Sequence, residues 1–196
     1  MSNPERHPTP RSLARASDEE LMGLVREGDL LAFERLVERF KVGVFSLCYQ
    51  ILRSREDAEE ASQDAFVKAF RARESYDPER KVSPWLLRIA SNAARDILRK
   101  RQARVVVNTD LLIAESDKLL DPEQVKTESK LESEEVHQAL GDLTEQYRTP
   151  LVLKYLHGLT NQEIADTMGM SLSSLKVRLS RARELLHARL WKRWEQ

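Results

Sequence analysis

Between Leu30 and Leu52 the apolar residues Phe33, Leu36, Val37, Phe40, Val44, Leu47 and Ile51 recur every three or four positions. That spacing lines up one stripe of an α-helix and is incompatible with a strand, whose faces alternate every second residue. Alternating patterns are absent elsewhere as well. Six Gly and seven Pro punctuate 196 residues, while Ala, Leu, Glu and Arg, all good helix formers, dominate. The fold class this predicts is all-α. The longest apolar run is four residues, as in Leu111–Ala114, against the ~20 of a transmembrane helix. No membrane insertion is expected, the N-terminus carries no apolar signal-peptide core, and a cytoplasmic location follows. Cys48 is the single cysteine and the four His are scattered, which excludes an internal disulfide and leaves no zinc-ligand spacing. Neither a metal nor a cofactor is expected.

Breaks in the helical pattern divide the chain. Residues 1–16 hold three Pro, three Arg and little apolar content, the composition of a disordered tail. Ser17-Asp18-Glu19-Glu20 is a capping box that opens a first helix to about Glu27. A second helix starts at Gly28-Asp29. Ser54 caps a third, in which Ala58, Ala61, Ala65, Ala69 and Ala72 form a small-residue stripe beside Phe66 and Phe70. Tyr76–Val82 reads as a loop, and Ser83-Pro84 as the start of a fourth helix reaching about Arg101. Residues 17–103 thus form a first helical unit. Residues 104–132, with a Val run, an Asp-Pro and no sustained apolar period, read as a flexible linker. Residues 133–196 form a second unit, with helices over 136–141, 144–157, 160–168 and 171–191. Pro150 should bend the second of these or delay its start.

Charge is segregated although 32 Lys and Arg balance 32 Asp and Glu. Five acids and no base lie between Glu56 and Asp64. Six bases face one acid from Arg88 to Arg104, and seven face one from Ser171 to Arg193. The linker carries four bases and seven acids. Two basic helices suggest polyanions in two places and the acidic helix a different partner, although any one block alone also fits a solvated helix face.

The last two helices have the layout of a helix-turn-helix. Thr160-Asn161-Gln162-Glu163 is a second capping box, Gly169 stands where the chain leaves the helix in the left-handed conformation, and Ser171 caps the next one. Leu175, Leu179, Ala182 and Leu186 fall within ~60° of one another and form a buried seam. Ser173 and Ser174 at its start, with Lys176, Val177, Arg178, Ser180 and Arg181, are left for DNA: short side chains admit the backbone to a groove, and Lys and Arg reach bases or phosphates. In the fourth helix Arg88, Asn92, Arg95 and Arg99 share one face, with Asp96 at its edge and Leu86, Ile89, Ala90, Ala93 and Ile97 opposite. Tyr76 and the charged loop beside that helix could hold an unstacked base. Trp85 fits either a core anchor or a stacking platform.

In this order the motifs resemble the extracytoplasmic-function (ECF) sigma factors, specificity subunits of bacterial RNA polymerase. The resemblance is carried by Asp57–Phe66, Pro84–Asn92, Glu163–Ala165 and Leu175–Arg183. It implies two small helical domains joined by the acidic linker, which would follow a path through the polymerase that nucleic acid also uses. It assigns Asp57, Glu60, Gln63, Asp64 and Phe66 to the core polymerase. It assigns Tyr76, Arg88, Asn92, Arg95, Asp96 and Arg99 to the promoter −10 element, where a base is captured on melting. The −35 element would meet Ser173, Ser174, Lys176, Val177, Arg178, Ser180 and Arg181. Promoter DNA, core polymerase and an anti-sigma factor are the implied partners. Val82 departs from the aromatic that many relatives carry there, and Ser180 from a larger side chain.

An autonomous helix-turn-helix regulator is the alternative; it would bind duplex DNA unaided and needs a dimerisation stripe that the sequence does not obviously supply. No nucleophile–base pair, phosphate-binding Gly loop or metal-ligand spacing points to an enzyme.

Overall fold

Local side-chain caps set where the helices begin. In a computed structural model, which describes residues 13–107 and 134–194, Ser17 Oγ accepts from the Glu20 amide at 3.1 Å while Glu20 Oε2 accepts from the Ser17 amide at 2.7 Å. This reciprocal box opens α1 (Asp18–Arg26). Asp29 caps α2 (Leu30–Leu52) through the Ala32 amide, and Ser54 caps α3 (Arg55–Arg71) through the Asp57 amide. A 3₁₀ turn at Arg73–Ser75 leads into the loop before α4 (Val82–Val107). Four further helices follow among the described residues: α5 (Glu134–Gly141), α6 (Glu145–Tyr155), α7 (Asn161–Met168) and α8 (Leu172–Trp194). No strand occurs among the described residues, so the chain is all-helical. Helix α4 runs past the expected end near Arg101 to Val107 and so takes in the first four residues of the expected linker, 104–132; the rest of that linker, from residue 108 on, and the tail before Leu13 lie outside the described residues.

Three local expectations are corrected. Leu13, placed by composition in the tail, is 1 % exposed and packs with Leu21, Met22, Val25, Ala32, Leu36, Tyr76 and Val82. Helix α4 begins at Val82, ahead of Ser83, because the Val82 amide donates to Glu19 Oε1 of α1 at 3.3 Å. A carboxylate from a distant helix thus serves the first turn, and Pro84 still falls where its missing N–H costs nothing. Pro150 neither delays nor ends α6, which starts at Glu145 and runs on to Tyr155 with the proline buried.

The main core forms around the alanine stripe of α3. Ala58, Ala61, Ala65 and Ala69 are at most 3 % exposed, and they pack with Val44, Leu47 and Ile51 of α2 and Leu86, Leu87, Ala90 and Ala93 of α4. The C-terminal helices join this same core through Leu140, Leu143, Leu151, Leu153, Leu159 and Ile164. Helix α6 lies against α2, and α7 against α4. Ion pairs cross the seam as well, among them Arg95–Glu145 at 3.0 Å and Lys81–Glu163 at 3.8 Å. Arg53, the C-cap of α2, takes the left-handed conformation (φ 54°) and comes so near Gly141 that a β-carbon there would lie 2.6 Å from the guanidinium.

His157, just after α6, sits at the same seam. A β-carbon on Gly43 of α2 would lie 3.6 Å from its ring, and its buried Nε2 has no hydrogen-bond partner among the described residues. Burial pulls its pKa down to about 4. The folded chain therefore refuses a proton that the unfolded chain accepts below its ordinary value of 6.5. Stability from this site is complete above that value and is lost as pH falls towards about 4. Urea unfolding measured across this window should show a decline in stability that His157→Leu flattens relative to the parent.

Candidate nucleic-acid interface

The helix-turn-helix is held by caps at both of its helix starts. Thr160 Oγ1 accepts from the Glu163 amide at 3.2 Å, and Glu163 Oε2 accepts from the Thr160 amide at 2.7 Å. Burial pushes the Glu163 carboxyl up, but the Thr160 hydrogen bonds, with Lys81 and Lys154 nearby, outweigh it and hold the pKa below the usual carboxylate value. Gly169 leaves α7 at φ 65°, and Ser171 Oγ then accepts from the Ser174 amide at 3.2 Å. Leu175, Leu179 and Ala182 are buried and Leu186 half-buried, as the seam requires. On the outer face Ser173, Ser174, Lys176, Val177, Ser180 and Arg181 are exposed, while Arg178 is half-buried. Arg181 is tied to Glu184 at 2.9 Å, a surface pair that DNA can displace at little cost. Val177 is 72 % exposed, an apolar group in water whose natural counterpart in a major groove is a thymine methyl.

Helix α4 presents its polar face less completely. Arg88, Asn92 and Arg99 are exposed. The Arg95 side chain is only 16 % exposed, with Nε donating to Glu145 Oε1 of α6. Asp96 is half-buried within a chain of charges: Asp64 to Lys68 at 2.7 Å, Lys68 to Asp96 at 3.8 Å, and Asp96 to Arg99 at 3.1 Å. Tyr76 is 3 % exposed, so it offers no open platform for a base. Its ring meets Trp85 edge-on at 5.3 Å between centroids, and its hydroxyl donates to the Arg80 carbonyl. Burial, then Glu19, Asp77 and Asp18, raise the phenol pKa and keep it a donor. Tyr76 therefore anchors the loop from inside, while Asp77, Pro78, Glu79, Arg80 and Lys81 are left exposed on it. Arg80 and Lys81 are the exposed bases of the charged loop that the sequence sets beside the α4 face.

A third surface lies on α3. Glu60 and Gln63 are exposed and Asp64 half-buried, one turn after another on the outer face. Val67 continues that row as an apolar side chain 47 % exposed, which the sequence analysis did not single out. Asp57 is turned inward to an ion pair with Arg101 of α4. That arginine also donates to the Leu52 carbonyl at the end of α2. Phe66 is half-buried and lines a small apolar cleft with Phe33, Val82 and Trp85.

Comparison with known proteins matches both units. The profile described as Sigma-70 region 2 matches residues 36–104, and that for Sigma-70, region 4 matches residues 133–186. The ECF RNA polymerase sigma factor SigW of Bacillus subtilis is 34 % identical over 174 residues, covering 85 % of this chain and 92 % of that protein. The ECF RNA polymerase sigma-E factor of Escherichia coli K12 is 33 % identical over 178 residues, covering 87 % and 92 %. Among solved structures, CnrH in complex with the cytosolic domain of CnrY aligns with a TM-score of 0.61 at 26 % identity, over 87 % of this chain and 95 % of that one. The sigma factor RpoE of Bartonella quintana, in complex with the anti-sigma factor NepR, shares the fold with a TM-score of 0.68 at 23 % identity, over 81 % and 96 %.

Because Tyr76 is an internal anchor, Tyr76→Ala should destabilise the fold by ~3 kcal/mol or more. Tyr76→Phe, which gives up only the hydrogen bond, should cost ~1 kcal/mol. Denaturant midpoints of the two variants check this.

Proposed function

We infer the function from kinship: the chain belongs to the extracytoplasmic-function (ECF) sigma factors of bacterial RNA polymerase. It binds the core polymerase, directs it to promoters and so initiates transcription. The observation that carries the detailed reading is the distribution of three unlike surfaces over one scaffold: acid on α3, base on α4, and a short-chained basic face on α8. In this reading Glu60, Gln63 and Asp64, with Val67 beside them, meet a basic surface of the core polymerase. Asp57 and Phe66 support that face from beneath. Arg88, Asn92 and Arg99, together with Arg95 and Asp96 when they are freed, bind the −10 element, and the loop that Tyr76 anchors receives the displaced base. Extracting a base costs a few kcal/mol, which stacking and hydrogen bonds in that loop must return. Ser173, Ser174, Lys176, Val177, Arg178, Ser180 and Arg181 read the −35 element in duplex form.

The protein works by binding, and the reaction itself belongs to the polymerase. Its place of action is the cytoplasm, where polymerase and promoters are, and no helix among the described residues is long and apolar enough to cross a membrane. The fold's likeness to sigma factors solved with protein partners supports an anti-sigma factor as the regulator. The decisive experiment mixes the chain with core polymerase and a library of promoter DNA. Initiation from a shared two-element motif is expected; tight duplex binding without any core polymerase binding would instead favour an autonomous regulator.

Reversing Glu60 and Asp64 to Lys should abolish core binding while leaving the fold intact, as read by co-elution with core polymerase and by circular dichroism. Lys176→Ala and Arg181→Ala should each weaken −35 recognition by ~1–3 kcal/mol if they contact bases. An equal loss on every −35 sequence would restrict them to phosphates.

A further inference from the structure

Helix α8 is longer than a groove needs. Its reading residues, Ser173 to Arg181, fill about two and a half turns, yet the helix runs on to Trp194. A major groove is ~12 Å wide, and at ~1.5 Å per residue a helix that enters it at Val177 meets the far sugar–phosphate wall about eight residues on. Side chains on the same side of the helix from there onward face backbone and not base edges. Arg183, His187 and Trp191 stand at and past that point, and all three are exposed. They follow one another at i, i+4 and i+8, one ridge of the helix surface, and seen down the axis Trp191 falls between Ser180 and Val177. The ridge therefore continues the reading face.

Its chemistry differs from that of the reading residues. A guanidinium, an imidazole and an indole each present N–H groups, and the guanidinium and indole have no acceptor. Phosphate and deoxyribose oxygens are the acceptors that suit them. The ridge is also ordered in advance. Arg183 Nε donates to the Leu179 carbonyl at 3.2 Å, which lays the side chain along the helix and leaves its terminal nitrogens for a ligand. The His187 and Trp191 rings stack with centroids 6.2 Å apart and planes 18° from parallel. Trp191 is 55 % exposed, and the stack limits the rotamers it samples, which lowers the cost of engaging a ligand.

A protein-binding Trp sits among other apolar anchors. Among the described residues Val177 is the other large apolar side chain exposed on α8, ~21 Å away along the axis. Nearer neighbours are Glu184, paired with Arg181, and the small Ala188.

We propose that Arg183, His187 and Trp191 grip the sugar–phosphate backbone of duplex DNA at one edge of the −35 element, beyond the bases that the start of α8 reads. The proposal rests on the assignment of α8 to the −35 element. Such a grip carries no sequence information. It fixes the register and tilt of the helix, and so sets how deeply Ser173, Ser174 and Val177 enter the groove.

The test uses holoenzyme assembled from the full chain and core polymerase, with the promoter selected from the library as a fluorescein-labelled duplex. Single methylphosphonates, each removing one phosphate charge, are stepped from inside the −35 element to half a helical turn beyond either end. Binding of the parent should weaken about tenfold at one or two phosphates outside the element, the low end for a hydrogen bond to a charged group. Trp191→Phe keeps a ring and gives up the N–H. It should weaken binding to unmodified DNA by a similar factor and lose the sensitivity to one of those phosphates. Arg183→Gln should lower the slope of log affinity against log salt by about 0.9, one phosphate contact, whereas Trp191→Phe should leave the slope alone. Both variants should rank −35 sequences as the parent does. Unchanged affinity in a His187→Ala, Trp191→Ala double variant overturns the grip, as does a methylphosphonate profile identical to the parent's. Weaker co-elution with core polymerase in place of a DNA effect makes the ridge a protein contact and overturns it too. If Lys176→Ala and Arg181→Ala leave affinity for the same duplex unchanged, the −35 assignment itself fails and the grip falls with it.

Discussion

Close approach of α2, α3 and α4 through the alanine stripe is the constraint on which the remaining architecture depends. Ala58, Ala61, Ala65 and Ala69 place nothing beyond a methyl between helices, which lets α2 and α4 pack closely on α3. Everything the two outer faces do follows from that spacing. Acidic Glu60 and Asp64 are set one helix away from basic Arg88 and Arg99, and Lys68 can reach carboxylates on both α3 and α4. Bulkier side chains in the stripe would move the two faces apart and change both surfaces together.

Legibility in the sequence followed the range of the interaction. Ser17 with Glu20 and Thr160 with Glu163 are partners three residues apart, and Gly169 acts on its own backbone, so these helix ends were readable directly. The buried seam of α8 and the periodic stripe of α2 were readable for the same reason. Misplaced features are those settled by partners far along the chain. Glu19 serves the Val82 amide across 63 residues and moved the start of α4. Tyr76, an aromatic in a charged loop, looks like an exposed platform until Leu21, Met22 and Leu36, from helices 40 to 55 residues earlier, enclose it. Arg95 shares its periodicity with Arg88, Asn92 and Arg99, and nothing local distinguishes it. Only Glu145, fifty residues on, does so.

The even balance of charge conceals a division of labour among ion pairs. Arg35–Glu38, Arg55–Glu59 and Arg181–Glu184 are single-helix surface pairs, each contributing a few tenths of a kcal/mol. Asp57–Arg101 and Arg95–Glu145 differ, since they join separate elements and are partly shielded from water. The first fastens the end of α4 across the junction of α2 and α3. The second fastens one unit to the other. Local charge keeps the helices soluble, and long-range charge fixes which surfaces are open.

The continuous core that runs from Val44 and Leu87 into Leu151 and Ile164 also bears on how long the protein lasts in a cell. Any parting of the two units would uncover apolar surface that the packed chain keeps from water. Chaperones and proteases recognise such surface, and degradation follows the population of an open form when opening is fast. The contacts that hold the units together would thereby also set how well the chain resists degradation.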